Sequence, residues 1–464
     1  MPDSSVGLIG LGTMGRSLAA NIGRHRAVVG YDRDAATRAD ARALDGLVIV
    51  DSLDELARML KPPRTIIVMV PAGSPVDAAL GELLPSLGRD DIVIDGGNSH
   101  PYDTSRRIVD LASQGVHLLG AGISGGEEGA LLGPSIMLGG AIAARDRVVD
   151  LLESIAARDS DGDPCALWLG DGGAGHLTKV VHNGIEYAVM QMLAEVVTLL
   201  RRTERDADQC ADVLEVWGRG LLGGYLVEIL TDILRTRDAD GAPLLDRVLD
   251  VADQKGTGRW AAIIGIEIGM PVPMITEAVF ARSMSARVGL RAAFASSGSW
   301  PRPTTTGGPS TLDDLEGAVV AATLVAFAEG LDLLRAASDA EGWGIDLERV
   351  TRVWRAGSIL RGVLLEEIYA GYRELPDAPS VLLSPRVGAL LADAQGGLRR
   401  TIMRAVETGV PVPVLGVAGA SLDALATKRG SGDVIQAMRD RFGAHTFERR
   451  DRPRGERFHD AWRG

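Results

Sequence analysis

The sequence predicts an α/β nucleotide-binding domain, then an all-α helical domain, then an extended C-terminal tail. Three observations predict it. A short apolar run near the N-terminus leads straight into a glycine-rich turn and an amphipathic pattern. Apolar runs of strand length then alternate with helical patterns up to about residue 170, the signature of a parallel sheet flanked by helices. After Gly175 strand signals fade and the 3.6-residue period dominates. The expected boundaries are residues 1–172, 173–430 and 431–464.

Residues 6–10 (VGLIG) read as a buried strand. They run into Gly10-Leu11-Gly12-Thr13-Met14-Gly15, a GxGxxG, followed by a helix through Leu18 and Ile22. The first glycines permit a tight turn and close approach of a pyrophosphate, and the helix N-terminus offers backbone N–H groups and a favourable dipole. A second strand, Ala27–Tyr31, ends at Asp32. Strand, glycine turn, helix and acid together mark a Rossmann-like dinucleotide fold. Asp32 and Arg33 then pull in opposite directions. The acid bonds a ribose 2′-hydroxyl and repels a 2′-phosphate, whereas the arginine accommodates that phosphate. Asp32 could instead cap the following turn, so NADP and NAD both stay open on these residues.

Further strands are expected at Leu47–Val50, Thr65–Val70, Asp91–Asp95, Val116–Ala121, Ser135–Leu138 and Ala166–Leu169. Ser52-x-x-Glu55 reads as a capping box. Open α/β sheets bind ligands beyond the C-terminal ends of their strands. That rule puts Asn98 (in DGGN), and Ser124, Gly125 and Gly126 (in SGG), at the nicotinamide and substrate. The alternative is that both segments are ordinary turns.

Long helices are expected at Gly175–Thr203, Asp208–Trp217, Tyr225–Leu234, Leu312–Ala336, Leu347–Ile359, Gly362–Gly371 and Val387–Thr408. In the first, Lys179, His182, Asn183 and Glu186 fall at i, i+3, i+4 and i+7 and share one face. An arbitrary stripe of this kind is a solvated surface. This one is compact, holds His and Asn beside Lys and Glu, and follows the Gly-rich link Gly170–Gly175, where a cleft is expected. The loop Asp253-Gln254-Lys255-Gly256-Thr257-Gly258-Arg259-Trp260 offers cations, a hydroxyl and free N–H groups to an oxyanion or phosphate, or is a solvated link. Arg282 is ambiguous by itself. The tail from Gly430 is basic around Arg439, Arg441 and His445, and carries Phe447, Phe458 and Trp462, which calls for docking on something.

Composition narrows the class. The chain has 464 residues, is 46% hydrophobic and carries a net charge of -13. That is a globular protein, and the charge argues against nucleic acid. Two cysteines and no Cys/His cluster imply no metal and a cytoplasmic, thiol-retaining protein. No signal peptide and no bilayer-length apolar run are expected.

Seven stretches in order identify a family resemblance: GLGTMG, VIDGGNSHPYDTSRR, ISGGEEGALLGPSIMLGG, GHLTKVVHNGIEYAVMQ, DQKGTGRW, EAVFARSMS and QAMRDRFGAHTFE. Over nearly its whole length the chain resembles the decarboxylating 6-phosphogluconate dehydrogenases. The resemblance implies a homodimer whose tail enters the partner's site, a phosphorylated sugar-acid substrate and NADP, with NAD as the alternative. It implies Lys179 as general base and acid, and Glu186 as a second acid. It implies that His182 and Asn183 contact substrate and nicotinamide, and that Asn98, Ser124, Gly125 and Gly126 hold the carboxylate end. Tyr187, Lys255, Thr257 and Arg282 would bind the phosphate end, joined by Arg439 and His445 from the other subunit. Gly10, Gly12, Thr13, Met14, Gly15, Asp32, Arg33, Val70, Ala72 and Asn98 would line the cofactor. The chain departs from the family at Asp32-Arg33-Asp34 (commonly Asn-Arg-Ser/Thr), at Pro71 (commonly Lys) and at His100 (commonly Glu). Its Leu422–Gly432 segment also lacks the usual tyrosines. A non-decarboxylating β-hydroxyacid dehydrogenase would share the glycine turn and lysine but would need no phosphate cage.

Overall fold

The computed structural model describes residues 5–44, 46–254, 256–300, 303 and 310–462. Two compact units result, Met1–Ala418 and Gly419–Gly464.

The first part of the larger unit is an eight-stranded sheet. Its strands are β1 (Val6–Ile9), β2 (Val28–Tyr31), β3 (Leu47–Ile49), β4 (Thr65–Val68), β5 (Ile92–Asp95), β6 (His117–Ile123), β7 (Ile136–Gly140) and β8 (Ala166–Asp171). The order is β3-β2-β1-β4-β5-β6-β7-β8. Strands β1 to β6 are parallel, β7 turns antiparallel on β6, and β8 runs parallel to β7. Helices α1 (Thr13–Gly23), α2 (Ala35–Ala41), α3 (Leu53–Met59), α4 (Ser74–Leu83), α5 (Pro101–Ala112), α6 (Gly126–Leu132) and α7 (Arg145–Ile155) connect them. Alternate residues feed two cores. Leu8, Ile67, Ile94 and Leu119 pack on one face, and Ile9, Ile66, Val68, Val93 and Leu118 on the other. Both faces are covered, which is why the strands read as unbroken apolar runs. The order reverses between β1 and β4, and the crevice there is the expected cofactor position.

The helical part comprises α8 (Ala174–Arg201), α9 (Ala207–Trp217), α10 (Tyr225–Arg235), α11 (Thr257–Ile268), α12 (Pro273–Ser285), α13 (Val288–Ser296), α14 (Leu312–Glu341), α15 (Leu347–Val353), α16 (Val363–Glu374), α17 (Pro385–Thr408) and α18 (Pro413–Ala426). It is a duplication. Gly269-Met270-Pro271-Val272-Pro273 repeats as Gly409-Val410-Pro411-Val412-Pro413, Ala194-Glu195 as Ala328-Glu329, and Trp217-x-x-Gly220 as Trp354-x-x-Gly357. Gly269 and Gly409 both end their helices in the left-handed region, at φ 72° and 65°. The two copies exchange one contact. Glu195 of α8 accepts hydrogen bonds from Val414 N and Leu415 N at the start of α18, both 3.0 Å. Glu329 of α14 accepts from Met274 N at 2.9 Å at the start of α12. Gly224 and Gly362, equivalent positions, pair directly in an antiparallel bridge.

Several expectations are corrected. The helix expected over Leu347–Ile359 stops at Val353, because Gly357 (φ 64°) and Ser358 turn the chain into the sheet. Thr65–Val70 is shorter as a strand and ends at Val68; Met69 N still donates to Ile9 O at 2.7 Å, and Met69 and Val70 line the crevice. The Ser52 box is half formed. The Ser52 hydroxyl accepts from Glu55 N, while the Glu55 carboxylate reaches past it to Asp51 N at 3.0 Å. Helix α14 is long and apolar enough to span a bilayer, against expectation, but 89% of that window is buried as the central core helix. The smaller unit holds α19 (Gly432–Gly443) and an irregular segment folded back on it.

Candidate active site

Helix α8 is the platform. It leaves β8 through a two-residue turn and its first turns lie on bare backbone. A Cβ at Gly175 would sit 2.4 Å from Gly120 O and 2.5 Å from Met137 O, and one at Gly122 would sit 2.4 Å from the Lys179 Cβ. Glycines in β6 and α8 therefore let helix and strand approach closely enough to wedge Lys179 beside the end of β6. The glycine-rich link does not space two halves apart; it seats the helix.

Lys179 is 6% exposed. Burial pulls its amine down from the usual 10.5 to about 8, against the opposing charge of Glu186. Burial also raises the Glu186 carboxyl, with Lys179 and Arg282 opposing. His182 is fully buried and stays neutral, because burial and the Lys179 charge push its basicity well down. Its bonds fix the tautomer. The Asn183 amide donates to Thr257 Oγ1 at 2.8 Å, so Asn183 Oδ1 faces His182 Nδ1 at 3.2 Å and Nδ1 carries the proton. His182 Nε2 then accepts from the hydroxyls of Ser124 (3.2 Å) and Ser358 (3.3 Å).

Ser358 and Trp354 were not anticipated. The segment between α15 and α16 enters from the second helical copy, and Gly357 O accepts from Ser135 N at 3.0 Å. Gly357 also abuts the SGG loop, since a Cβ on Gly125 would lie 2.7 Å from Gly357 O. Trp354 meets the His182 ring edge-on at 5.5 Å. Buried Arg355 anchors the segment through Asp159, Asp161 and Glu366. Ser358 lies far from α8 in sequence and belongs to no motif, so only the Trp-x-x-Gly repeat could have pointed to it.

On the next turn of α8, the Arg282 guanidinium stacks 3.5 Å over the Tyr187 ring, and Gly258 abuts that ring. Thr257, Tyr187 and Arg282 thus assemble beside Asn183. Lys255 lies outside the described residues. Arg439 and His445 are exposed on the smaller unit. Asn98 is exposed at the end of β5, on a loop held from beneath by Asp95 and Ser99, which bond each other at 2.6 Å. Arg107, 1% exposed and also unanticipated, ties Ser99 to Asp77 and to Gly73 O. Among the described residues no group of side chains could hold a metal ion.

A separate cleft at the β1/β4 switch is lined by Gly10, Gly12, Tyr31, Asp32, Arg33, Val70 and Pro71, among others. Gly10 has φ 94° and a Cβ there would strike Met69 O at 2.5 Å, while nothing lies within 4 Å of a Cβ on Gly12. The turn is therefore tight behind and open in front, as a pyrophosphate requires. Thr13, Met14 and Gly15 begin α1 beneath it. The Asp32 carboxylate accepts from Leu11 N at 2.8 Å and Asp34 N at 2.9 Å, so it caps both flanking loops. Asp34 in turn caps α2 through Thr37, and Arg33 stands exposed at the rim.

Comparison with known proteins follows this geometry. Residues 5–170 match the family described as NAD binding domain of 6-phosphogluconate dehydrogenase, and residues 175–462 match 6-phosphogluconate dehydrogenase, C-terminal domain. A Candida albicans protein named 6-phosphogluconate dehydrogenase, decarboxylating, is 41% identical over 457 residues, covering 96% of this chain and 88% of that protein. A Bacillus subtilis (strain 168) relative, named as NADP(+)-dependent and decarboxylating, is 40% identical over 470 residues and covers 100% of both chains. The solved Plasmodium falciparum 6-phosphogluconate dehydrogenase superposes with a TM-score of 0.94 at 31% identity, covering 99% of this chain and 100% of that one. Sequence and fold agree, and the chain belongs to the 6-phosphogluconate dehydrogenase family.

Proposed function

We propose that this chain oxidatively decarboxylates 6-phosphogluconate to ribulose 5-phosphate and carbon dioxide with NADP⁺. The observation that carries the reading is the α8 face, where a buried lysine of lowered basicity shares one stripe with a carboxyl of raised basicity. The open glycine turn and its cleft fit a dinucleotide, held by Gly10, Gly12, Thr13, Met14, Gly15, Arg33, Val70 and Ala72. When bound, NADP⁺ accepts the hydride from C3. Neutral Lys179 takes the proton of the C3 hydroxyl, which an ordinary lysine of pKa 10.5 would do poorly near neutral pH. The same lysine returns that proton to the C3 ketone oxygen while the C1–C2 bond breaks and carbon dioxide leaves. Glu186, whose carboxyl burial raises above the ordinary range, is the acid that then delivers a proton to the carbon that becomes C1 of the product. His182, neutral and a fixed acceptor at Nε2, holds the Ser124 side chain in place beside the site. Tyr187, Thr257, Arg282 and Lys255 receive the phosphate.

The working form in this reading is a homodimer in the cytoplasm. Helices α11 to α13 expose Ile266 (73%), Phe280 (61%) and Phe294 (55%), and no residue of α13 is buried, which suits a surface covered by a second copy. Arg439 and His445 of one copy would complete the other's phosphate site. Both cysteines are free, in keeping with a reducing compartment. The test is one assay of 6-phosphogluconate with NADP⁺ and NAD⁺ in parallel, following carbon dioxide. Release with NADP⁺ preferred is expected. Oxidation without carbon dioxide would identify a different sugar-acid or β-hydroxyacid substrate, and an NAD⁺ preference would make Asp32 the ribose ligand.

A further inference from the structure

We propose that Asp440 is a positioning residue for the substrate-phosphate site, holding His445 and Arg439 in their binding arrangement through the last residues of the chain. The inference rests on the reading that those two residues contact the phosphate.

Asp440 is the sole buried residue of α19 among those described, with its carboxylate wholly enclosed. An enclosed carboxylate needs its lone pairs filled, and here four donors fill them. Oδ1 accepts from Thr446 N at 2.9 Å and faces His459 Nδ1 at 2.9 Å. Oδ2 accepts from Asp460 N at 3.1 Å and from Trp462 Nε1 at 2.7 Å. Arg439 immediately precedes Asp440, and Thr446 immediately follows His445. The carboxylate therefore pins the backbone on the far side of His445 to the helix that carries Arg439.

The turn between them is conformationally costly. Ala444 (φ 50°) and Thr446 (φ 58°) both lie in the left-handed region without being glycine. Such backbone persists where surrounding bonds over-determine it. The Asp440–Thr446 bond is one constraint. The others come from the strand-like pairing of Phe447 with Phe458, both bonds 2.8 Å, and from the packing of Phe447 on Trp462 at 5.3 Å. The end of the tail thus braces the turn that presents His445, with Asp440 as the shared anchor.

Asp440→Asn keeps the shape and removes acceptor capacity, since the NH2 that replaces one carboxylate oxygen cannot accept from N–H donors. In the full-length enzyme it should raise the KM for 6-phosphogluconate about tenfold, leave the KM for NADP⁺ within about twofold, and change kcat little. Trp462→Phe, which removes one donor and keeps the ring, should do the same more weakly and serves if Asp440→Asn does not fold. The discriminating measurement is a double-mutant cycle with His445→Ala. If Asp440 acts through His445, Asp440→Asn should add less than about twofold in that background. Full additivity, or equal losses in both KM values, would overturn the positioning role. Separately, His445→Ala and Arg439→Ala variants with unchanged substrate KM would overturn the phosphate reading itself and leave the question of Asp440 answered by its own KM.

Discussion

Replacing Gly122 with alanine tests the wedge that sets Lys179 in place. The added methyl would stand 2.4 Å from Lys179 Cβ, 3.1 Å from its Cγ and 3.0 Å from Gly175 O. Carbon atoms in contact settle at about 3.5–4.0 Å, so helix and strand must part by roughly 1 Å. None of the three atoms is the loose end of a side chain, and the helix is held from behind by Ile185 against Gly330. Overpacking of this kind costs about 1–3 kcal/mol of stability. A misplacement of ~1 Å at a reacting group can cost ~10²-fold in rate. The expected result is a kcat/KM for 6-phosphogluconate lowered about a hundredfold with cofactor affinity retained, because β5 stands between the β1/β4 cleft and the strand that carries Gly122. Thermal unfolding supplies the stability figure. Gly23→Ala, at the end of α1 with nothing within 4 Å of the new methyl, is the control and should be neutral or slightly stabilising. A Gly122→Ala enzyme with near-normal kcat/KM would show that the close approach does not position the lysine.

Lys179→Met should abolish turnover, by ~10³-fold or more, while NADP⁺ still binds by fluorescence titration. In the unaltered enzyme the first step needs the neutral amine. With its pKa lowered to about 8, kcat/KM should climb as pH rises toward 8 and level off above it, and a flat profile would remove Lys179 as the base. Glu186→Gln should slow incorporation of solvent deuterium at C1 of the product or scramble its stereochemistry, and unchanged incorporation would exclude it as the acid. Arg33→Ala should depress NADP⁺ efficiency far more than NAD⁺ efficiency. Asp32→Asn should shift preference toward NADP⁺ about fivefold, the equivalent of ~1 kcal/mol from one removed charge, and equal effects on both cofactors would place neither residue at the 2′-phosphate.

What could be read in the sequence was what local pattern encodes. The first strand, glycine turn and helix are contiguous, so the single run of residues 6–23 carried the nucleotide fold. The α8 stripe needed only helical spacing, and His182, Asn183 and Thr257 do meet. What escaped depends on chain segments meeting from a distance. Ser358 bonds His182 from a stretch whose helical pattern continues past the point where Gly357 breaks it. Arg107 looks like a surface charge on α5 until Asp77, Asp95 and Ser99 close around it. The duplication was spread over two long copies whose identities are few, and it shows only when Gly269 and Gly409 are seen ending helices the same way. Asp32 was legible as an acid after β2, but its commitment to two backbone N–H groups was a matter of rotamer.

The exchanged glutamates have a history written into them. Glu195 completes a helix of the later copy and Glu329 completes one of the earlier. In two separate identical chains this would be an isologous handshake about a twofold axis, each subunit supplying what the other lacks. Here one polypeptide holds both hands. Once joined, the copies no longer had to stay alike. Counting back from the paired glutamates, the places of Lys179, His182, Asn183 and Glu186 fall in α14 on Asp313, Glu316, Gly317 and Val320, which lack the lysine and histidine of the stripe, and a Cβ on Gly317 would lie 3.1 Å from Ala394 O. The reactive stripe lies in the first copy alone, and the second copy supplies the Ser358 finger that reaches His182 within it.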